Sequence, residues 1–193
     1  MGFSGNSHFK VYPHIERIVI FIDGNNLMQG AKQFKKEYRI DYAKLISFLT
    51  GEHKLVRAYF FDCAPDKKHP DYQKKEGFID MLRANGITVF ERPLRYHSDG
   101  RPFQKGVDVA LATEMLSLCM QDAYDTAIVV SGDSDYAHAI DRVKHTGKNV
   151  HCASFHASLS SDLKKVADKI IVLDKHADKF EFKKTEKNNE KFI

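Results

Sequence analysis

Two of the most apolar stretches of this chain end in acidic residues set beside glycine. Ile18-Val19-Ile20-Phe21-Ile22 runs into Asp23-Gly24-Asn25-Asn26, and Ala127-Ile128-Val129-Val130 runs into Ser131-Gly132-Asp133-Ser134-Asp135. Carboxylates at such places are costly to strip of water unless a cation or a hydrogen-bond donor meets them. The glycines permit a tight turn and a close approach by a ligand. A third acid, Asp108, opens a segment in which Leu111, Ala112, Met115, Leu116 and Cys119 recur at helical spacing, so Asp108 shares the core-facing stripe. Glu114 falls away from that stripe, and Asp62 follows a strand without an adjacent glycine; both are lesser candidates. Gathered carboxylates repel one another, and their pKa values climb until some stay protonated. A hard divalent cation, Mg2+ or Mn2+, removes the conflict, and Mg2+ in particular takes one or two carboxylates together with water and phosphate oxygens. Such an ion can polarise a phosphodiester, activate a water and stabilise the leaving oxygen. No His–Ser or His–Cys nucleophilic pair is suggested by spacing, so metal-assisted hydrolysis fits the inventory best. Each aspartate taken singly also reads as a turn former or helix cap. Their joint occurrence at one rim is what points to chemistry.

These acids can meet only if the elements carrying them end on the same side of a sheet. Arg17 to Ile22 is a continuous β-branched and aromatic run, as expected of a strand buried on both faces. Asp23-Gly24 then reads as a turn, and Asp41 as the cap of a helix carrying Leu45, Ile46 and Leu49 and closing at Gly51. Further strands are expected at Leu55 to Phe61, Ile87 to Phe90, Thr126 to Val130, Asn149 to Ala153 and Ile170 to Leu173. Helices are expected through Phe78, Ile79 and Leu82 up to Asn85-Gly86, then over Gly106 to Gln121, Tyr136 to Lys144 and Ser161 to Asp168. Strands alternating with helices predict an α/β fold of right-handed βαβ units around a parallel sheet. Ligands bind such sheets beyond the carboxyl ends of the strands, where Asp23 and Asp133 stand.

At 193 residues the chain fits one domain: residues 1–14 as an N-terminal extension, 15–174 as the folded unit and 175–193 as a lysine-rich tail, frayed or disordered. A hydrophobic content of 42% and a charged content of 29% are ordinary globular usage. No apolar run approaches the roughly 20 residues that cross a bilayer, so no membrane partner is expected. The N-terminus lacks a secretory pattern, and Asn6 stands where myristoylation after Gly2 wants Ser or Thr, so no lipid anchor is expected. Three cysteines with no C-x-x-C spacing suit a reducing cytoplasm. An exposed edge strand would be the place for a homodimer contact, although the sequence singles out none.

The net charge of +4 is compatible with nucleic acid, and its distribution says more than the sum. Between Arg92 and Lys105 the basic residues Arg92, Arg95, Arg101 and Lys105 interleave with Tyr96 and Phe103, and the polar stretch Tyr96 to Gln104 holds Gly100 and Pro102 and must be a loop. Cations meet phosphates and rings stack on bases, which suits single-stranded RNA. Lys105 is the best single candidate, because the chain just beyond it enters the acidic pocket. Lys67, Lys68, Lys74 and Lys75 would extend the positive track or form a solvated helix face. His151, Cys152 and His156 hint at zinc, with a spacing that matches no standard finger.

Three ordered motifs, Ile22-Asp23-Gly24-Asn25-Asn26, Lys105-Gly106-Val107-Asp108-Val109-Ala110 and Val130-Ser131-Gly132-Asp133-Ser134-Asp135-Tyr136, resemble the NYN domain in the LabA-like branch of the PIN-like nucleases, as does the later Gly147-Lys148-Asn149-Val150. The resemblance runs from about Arg17 to about Leu173. It implies a three-layer PIN-like fold with a central, mostly parallel sheet flanked by helices, and divalent-metal-dependent cleavage of RNA. Carried over by position, Asp23, Asp108 and Asp133 would be metal-binding carboxylates, and Asp135 would complete the catalytic set directly or through water. Asn26 would lie near the substrate phosphate, and Ser131 would join the group by hydrogen bonding. Relatives often carry an acid at the position of Glu114.

Two other classes share parts of the pattern. A haloacid-dehalogenase-like phosphatase would use Asp23 as nucleophile and Asp133-Ser134-Asp135 for its metal, but its general acid two residues on is replaced by Asn25, leaving no proton donor for the leaving group. An RNA-binding or regulatory adaptor with little catalysis would share the fold and the charge, since fold does not fix function.

Overall fold

The structure, a computed structural model, describes residues 14–183. The expectations for the N-terminal extension and its lack of a lipid anchor therefore lie, except for His14, outside the described residues.

Strands β1 (Arg17–Asp23), β2 (Lys54–Ala64) and β3 (Thr88–Pro93) form one half of a six-stranded sheet, and β6 (Thr126–Val130), β7 (Asn149–Ser154) and β8 (Lys169–Val172) form the other. All pair in parallel, in the order β3-β2-β1-β6-β7-β8. The chain winds outward from β1 to β3, returns to the middle, and winds out the other way. The switch point therefore falls between β1 and β6, where Ile22 pairs with Val130. Strand order is invisible in local sequence patterns. It is what sets the two acid-bearing turns side by side, in the crevice where parallel sheets bind ligands.

Helices cover both faces. On one lie α1 (Gly24–Phe34), α2 (Tyr42–Thr50) and α3 (Tyr72–Ala84), and on the other α4 (Val107–Met120), α5 (Ala137–Lys144) and α6 (Ser161–Val166). Successive side chains of a strand alternate between faces. Ile18, Ile20 and Ile22 accordingly join Leu27, Leu45 and Ile79 in one core, while Val19 and Phe21 join Leu111, Met115 and Ile140 in the other. The sheet is thus the middle of three layers, as the continuous apolar strands required. Among the described residues no helix is long and apolar enough to cross a membrane.

Three local expectations are corrected. The turn at Asp23-Gly24 is the start of α1, whose sparse apolar positions hid it. Asp23 is its cap, and Gly24 is forced by a Cβ that would sit 2.3 Å from Phe60 Cζ. The polar stretch after Leu94 is a ribbon of antiparallel β4 (Arg95–Tyr96) and β5 (Pro102–Phe103), in which His97 lies against Phe103 with ring centroids 4.3 Å apart. From Lys175 the chain is ordered as far as it is described: a 3-10 segment spans Leu173–Lys179, Phe180 is fully buried and Glu181 bridges to Ile40. Lysines masked the few apolar residues that dock this segment beneath α2. Residues 184–193 lie outside the described residues.

Candidate active site

Asp23 continues the face of Val19 and Phe21, so its carboxylate emerges under α4 and α5, at 4% exposure. Oδ1 caps α1 by accepting the Asn26 N–H at 3.0 Å. Oδ2 accepts from the Ser131 hydroxyl at 3.3 Å and faces the Tyr136 hydroxyl at 3.1 Å. The helical stripe of α4 brings Asp108, in its first turn, to the same place: its Oδ1 also lies 3.1 Å from the Tyr136 hydroxyl. A phenol carries one proton. It donates to one carboxylate at a time, and the other is left to a proton of its own, to solvent or to a cation.

The energetics agree. Burial pushes the Asp23 carboxyl up to about 6; the bonds from Asn26, Tyr136 and Ser131 oppose the shift, and Asp108 adds to it. Burial also raises the Asp108 carboxyl, against the Tyr136 bond and with help from the charges of Asp133 and Asp135. Tyr136 is wholly enclosed, and burial beside two carboxylates drives its phenol far above the usual range, so it stays neutral and donating.

The second acid-bearing turn is locked to the first. Asn26 Oδ1 accepts the Gly132 N–H at 2.9 Å, and the Asp133 N–H donates to Ser131 Oγ at 3.2 Å. A Cβ on Gly132 would stand 2.0 Å from the Ser158 carbonyl oxygen, so only glycine fits there. Asp133 caps a 3-10 turn (Ser134–Tyr136), accepting the Asp135 N–H at 3.0 Å; Asp133 is half-buried and Asp135 exposed. Asp23 and Asp133 each cap the helical turn that follows them.

The expected residues are not all equally joined. Asp23, Asp108, Ser131 and Asn26 converge through direct bonds, and Asp133 and Asp135 act on Asp108 by their charge. Among the described residues, no three His, Cys, Asp or Glu side chains stand close enough to ligate one ion directly. Ser131 and the Asn26 carboxamide oxygen are engaged in holding the network. Lys105 is exposed, just before the Gly106 turn that leads into α4. Glu114 lies further along α4, where its charge, after burial, raises the Tyr59 phenol. Asp62 alternates onto the opposite face with Phe60. There its buried carboxylate forms an ion pair with Lys75 and accepts from Gln104 at 2.9 Å, so Lys75 is no part of an RNA track. His151 and Cys152, adjacent on β7, point to opposite faces, and Cys152 is fully buried in the core. Sequence reading missed Tyr136, taking it only for the first residue of a helix. Its signal was an aromatic with a polar tip placed directly after the Asp133-Ser134-Asp135 turn.

A family model described as the NYN domain matches residues 17–174. The chain is 28% identical over 165 residues to the low amplitude and bright protein LabA of Synechococcus elongatus, covering 82% of this chain and 84% of that protein. It is 25% identical over 179 residues to the uncharacterized protein MJ0482 of Methanocaldococcus jannaschii, covering 92% of this chain and 63% of that longer protein. Its fold is similar to the crystal structure of VPA0982 from Vibrio parahaemolyticus, a protein of unknown function: the TM-score is 0.72 at 24% identity, over 89% of this chain and 99% of the other.

Proposed function

The chain belongs to the NYN domain family, and from that premise we propose that it is a divalent-metal-dependent ribonuclease that hydrolyses RNA phosphodiester bonds at the Asp23–Asp108 site. The observation that carries the reading is the shared Tyr136 hydroxyl, which leaves two carboxylates with one donor between them. When both carboxylates are ionised they carry two negative charges that a neutral phenol does not offset, and a hard divalent cation would balance them. Mg2+ or Mn2+ would be held by Asp23 and Asp108, with Asp133 and Asp135 acting through water, and would polarise the phosphodiester and activate a water. The family is PIN-like and nuclease-related, the basic segment from Arg92 to Lys105 leads into the helix that carries Asp108, and RNA is the partner both suit. Tyr136 orients the two acids, Ser131 fixes Asp23, and Asn26 binds the two turns together. Cys63, Cys119 and Cys152 are free and buried, which fits a cytoplasmic setting.

The test is incubation of purified protein with mixed single-stranded and structured RNAs, with Mg2+ or Mn2+ and with chelator. Metal-dependent cleavage that disappears in Asp23→Asn and Asp108→Asn supports the reading, and cleavage surviving both substitutions ends it. A second reading, an RNA-binding adaptor, is favoured by the lack of a directly ligating trio among the described residues. It expects salt-dependent affinity without turnover.

A further inference from the structure

A recess of about 420 Å³, lined by Arg92, Pro93, Arg95, Lys105, Gly106 and Val109, opens where the chain turns into α4, in whose first turn Asp108 lies. Arg92, Arg95 and Lys105 are exposed, and among the described residues none has a carboxylate within ion-pairing distance. Arg101 on the same ribbon differs, being paired with Asp99 at 2.7 Å. Leaving cations of like sign around one hollow is unfavourable unless an anion is to fill it.

The recess is also held in shape. Both of its walls are tied to the end of β2. On one side the Leu94 N–H donates to the Ala64 carbonyl at 2.9 Å, between Arg92 and Arg95. On the other, Gln104 donates to Asp62 at 2.9 Å. Gly106 turns the wall into α4 with φ of +81°, a left-handed conformation that favours glycine. From that turn the chain runs directly into Asp108. The cations therefore stand at a set distance from the acids rather than on a mobile arm.

We propose that Arg92, Arg95 and Lys105 bind one phosphate of the substrate strand, which fixes where along that strand the acidic cleft falls. Arginine forks suit phosphate oxygens, and Lys105 adds a point charge. The proposal rests on the ribonuclease reading for the strand's identity, but not on cleavage for its test.

The test is equilibrium binding of a short fluorescein-labelled single-stranded RNA in chelator, over a range of salt. The proteins are the wild type, Arg92→Gln, Arg95→Gln, Lys105→Gln, the triple variant, and Lys164→Gln on exposed α6 as a control, each checked for an unchanged melting midpoint. Each substitution in the recess should weaken binding roughly three- to tenfold and lower the salt slope by about 1, with Lys164→Gln unchanged. Oligomers with and without a 5′-phosphate distinguish two sources. An advantage of the 5′-phosphate that vanishes in the variants identifies a strand end, and equal affinities with the same slope loss identify an internal phosphate. A triple variant that keeps the wild-type slope, a control that loses as much as the recess variants, or a wild type that binds no RNA overturns the proposal. Because no cleavage is read, failure of the Asp23–Asp108 chemistry shows separately.

Discussion

The carboxylates of Asp23 and Asp108, delivered from a central strand and from the first turn of a helix far along the chain, stop at equal distances of 3.1 Å from one phenolic oxygen. Each acid is held by a different layer of the fold, so neither can withdraw from the other without disturbing α1 or α4. Burial makes ionising both costly, a cost that a bound cation would relieve.

The first prediction concerns that cost. The Asp23 carboxyl sits at about 6 in the folded protein against an ordinary 3.8. An acid raised by folding binds its proton more tightly in the native state, so native stability declines as pH rises from about 4 to about 6. Asp23→Asn, measured in chelator by denaturant unfolding, should stabilise the protein by on the order of 2–3 kcal/mol at neutral pH. The gain should fade toward pH 4. Equal effects at both pH values would contradict it.

Tyr136→Phe removes the one proton donor that both carboxylates share, a bond that lowers each of their pKa values. Loss of a buried hydrogen bond should cost about 1–2 kcal/mol. In the cleavage assay the acid limb of the kcat profile should move to higher pH while KM stays near the wild-type value. A profile that falls uniformly, without moving, would assign Tyr136 a packing role only.

Lys75→Met leaves the buried Asp62 without its cation, and should destabilise the fold by about 3 kcal/mol or more. Adding Asp62→Asn should restore most of that loss, because the uncompensated charge disappears. Thermal midpoints of the single and double variants decide the matter. No rescue would mean that the ion pair is not what the pair of residues contributes.

Gly132→Ala would push a methyl group to within 2.0 Å of the Ser158 carbonyl oxygen. Backbone must move, and with it the N–H that Asn26 accepts. About 3 kcal/mol of destabilisation is expected, the upper end of what overpacking costs. Metal-dependent cleavage should drop even at temperatures where the protein stays folded, since the two acid-bearing turns lose their tie. Wild-type activity and stability together would show that the turn can give way cheaply.

Sequence alone determined the alternating α/β character, the buried parallel strands and the identity of the acids, because these rest on short-range patterns: apolar runs, helical spacing, glycine after a strand. Asp108 could be assigned to the cleft from its stripe on α4, and Gly51 and Asn85 to helix ends from their types alone. The tertiary structure decided what depends on strand order and on the alternation of faces. It placed β1 next to β6, turned Asp62 away to Lys75, and inserted Tyr136 between Asp23 and Asp108. It also showed α1 and the docked segment around Phe180, whose local signals were too polar to stand out. A residue's type and neighbours in sequence set what it can do chemically. Which groups it meets is set by packing between layers, an energy summed over the whole sheet and written in no single segment.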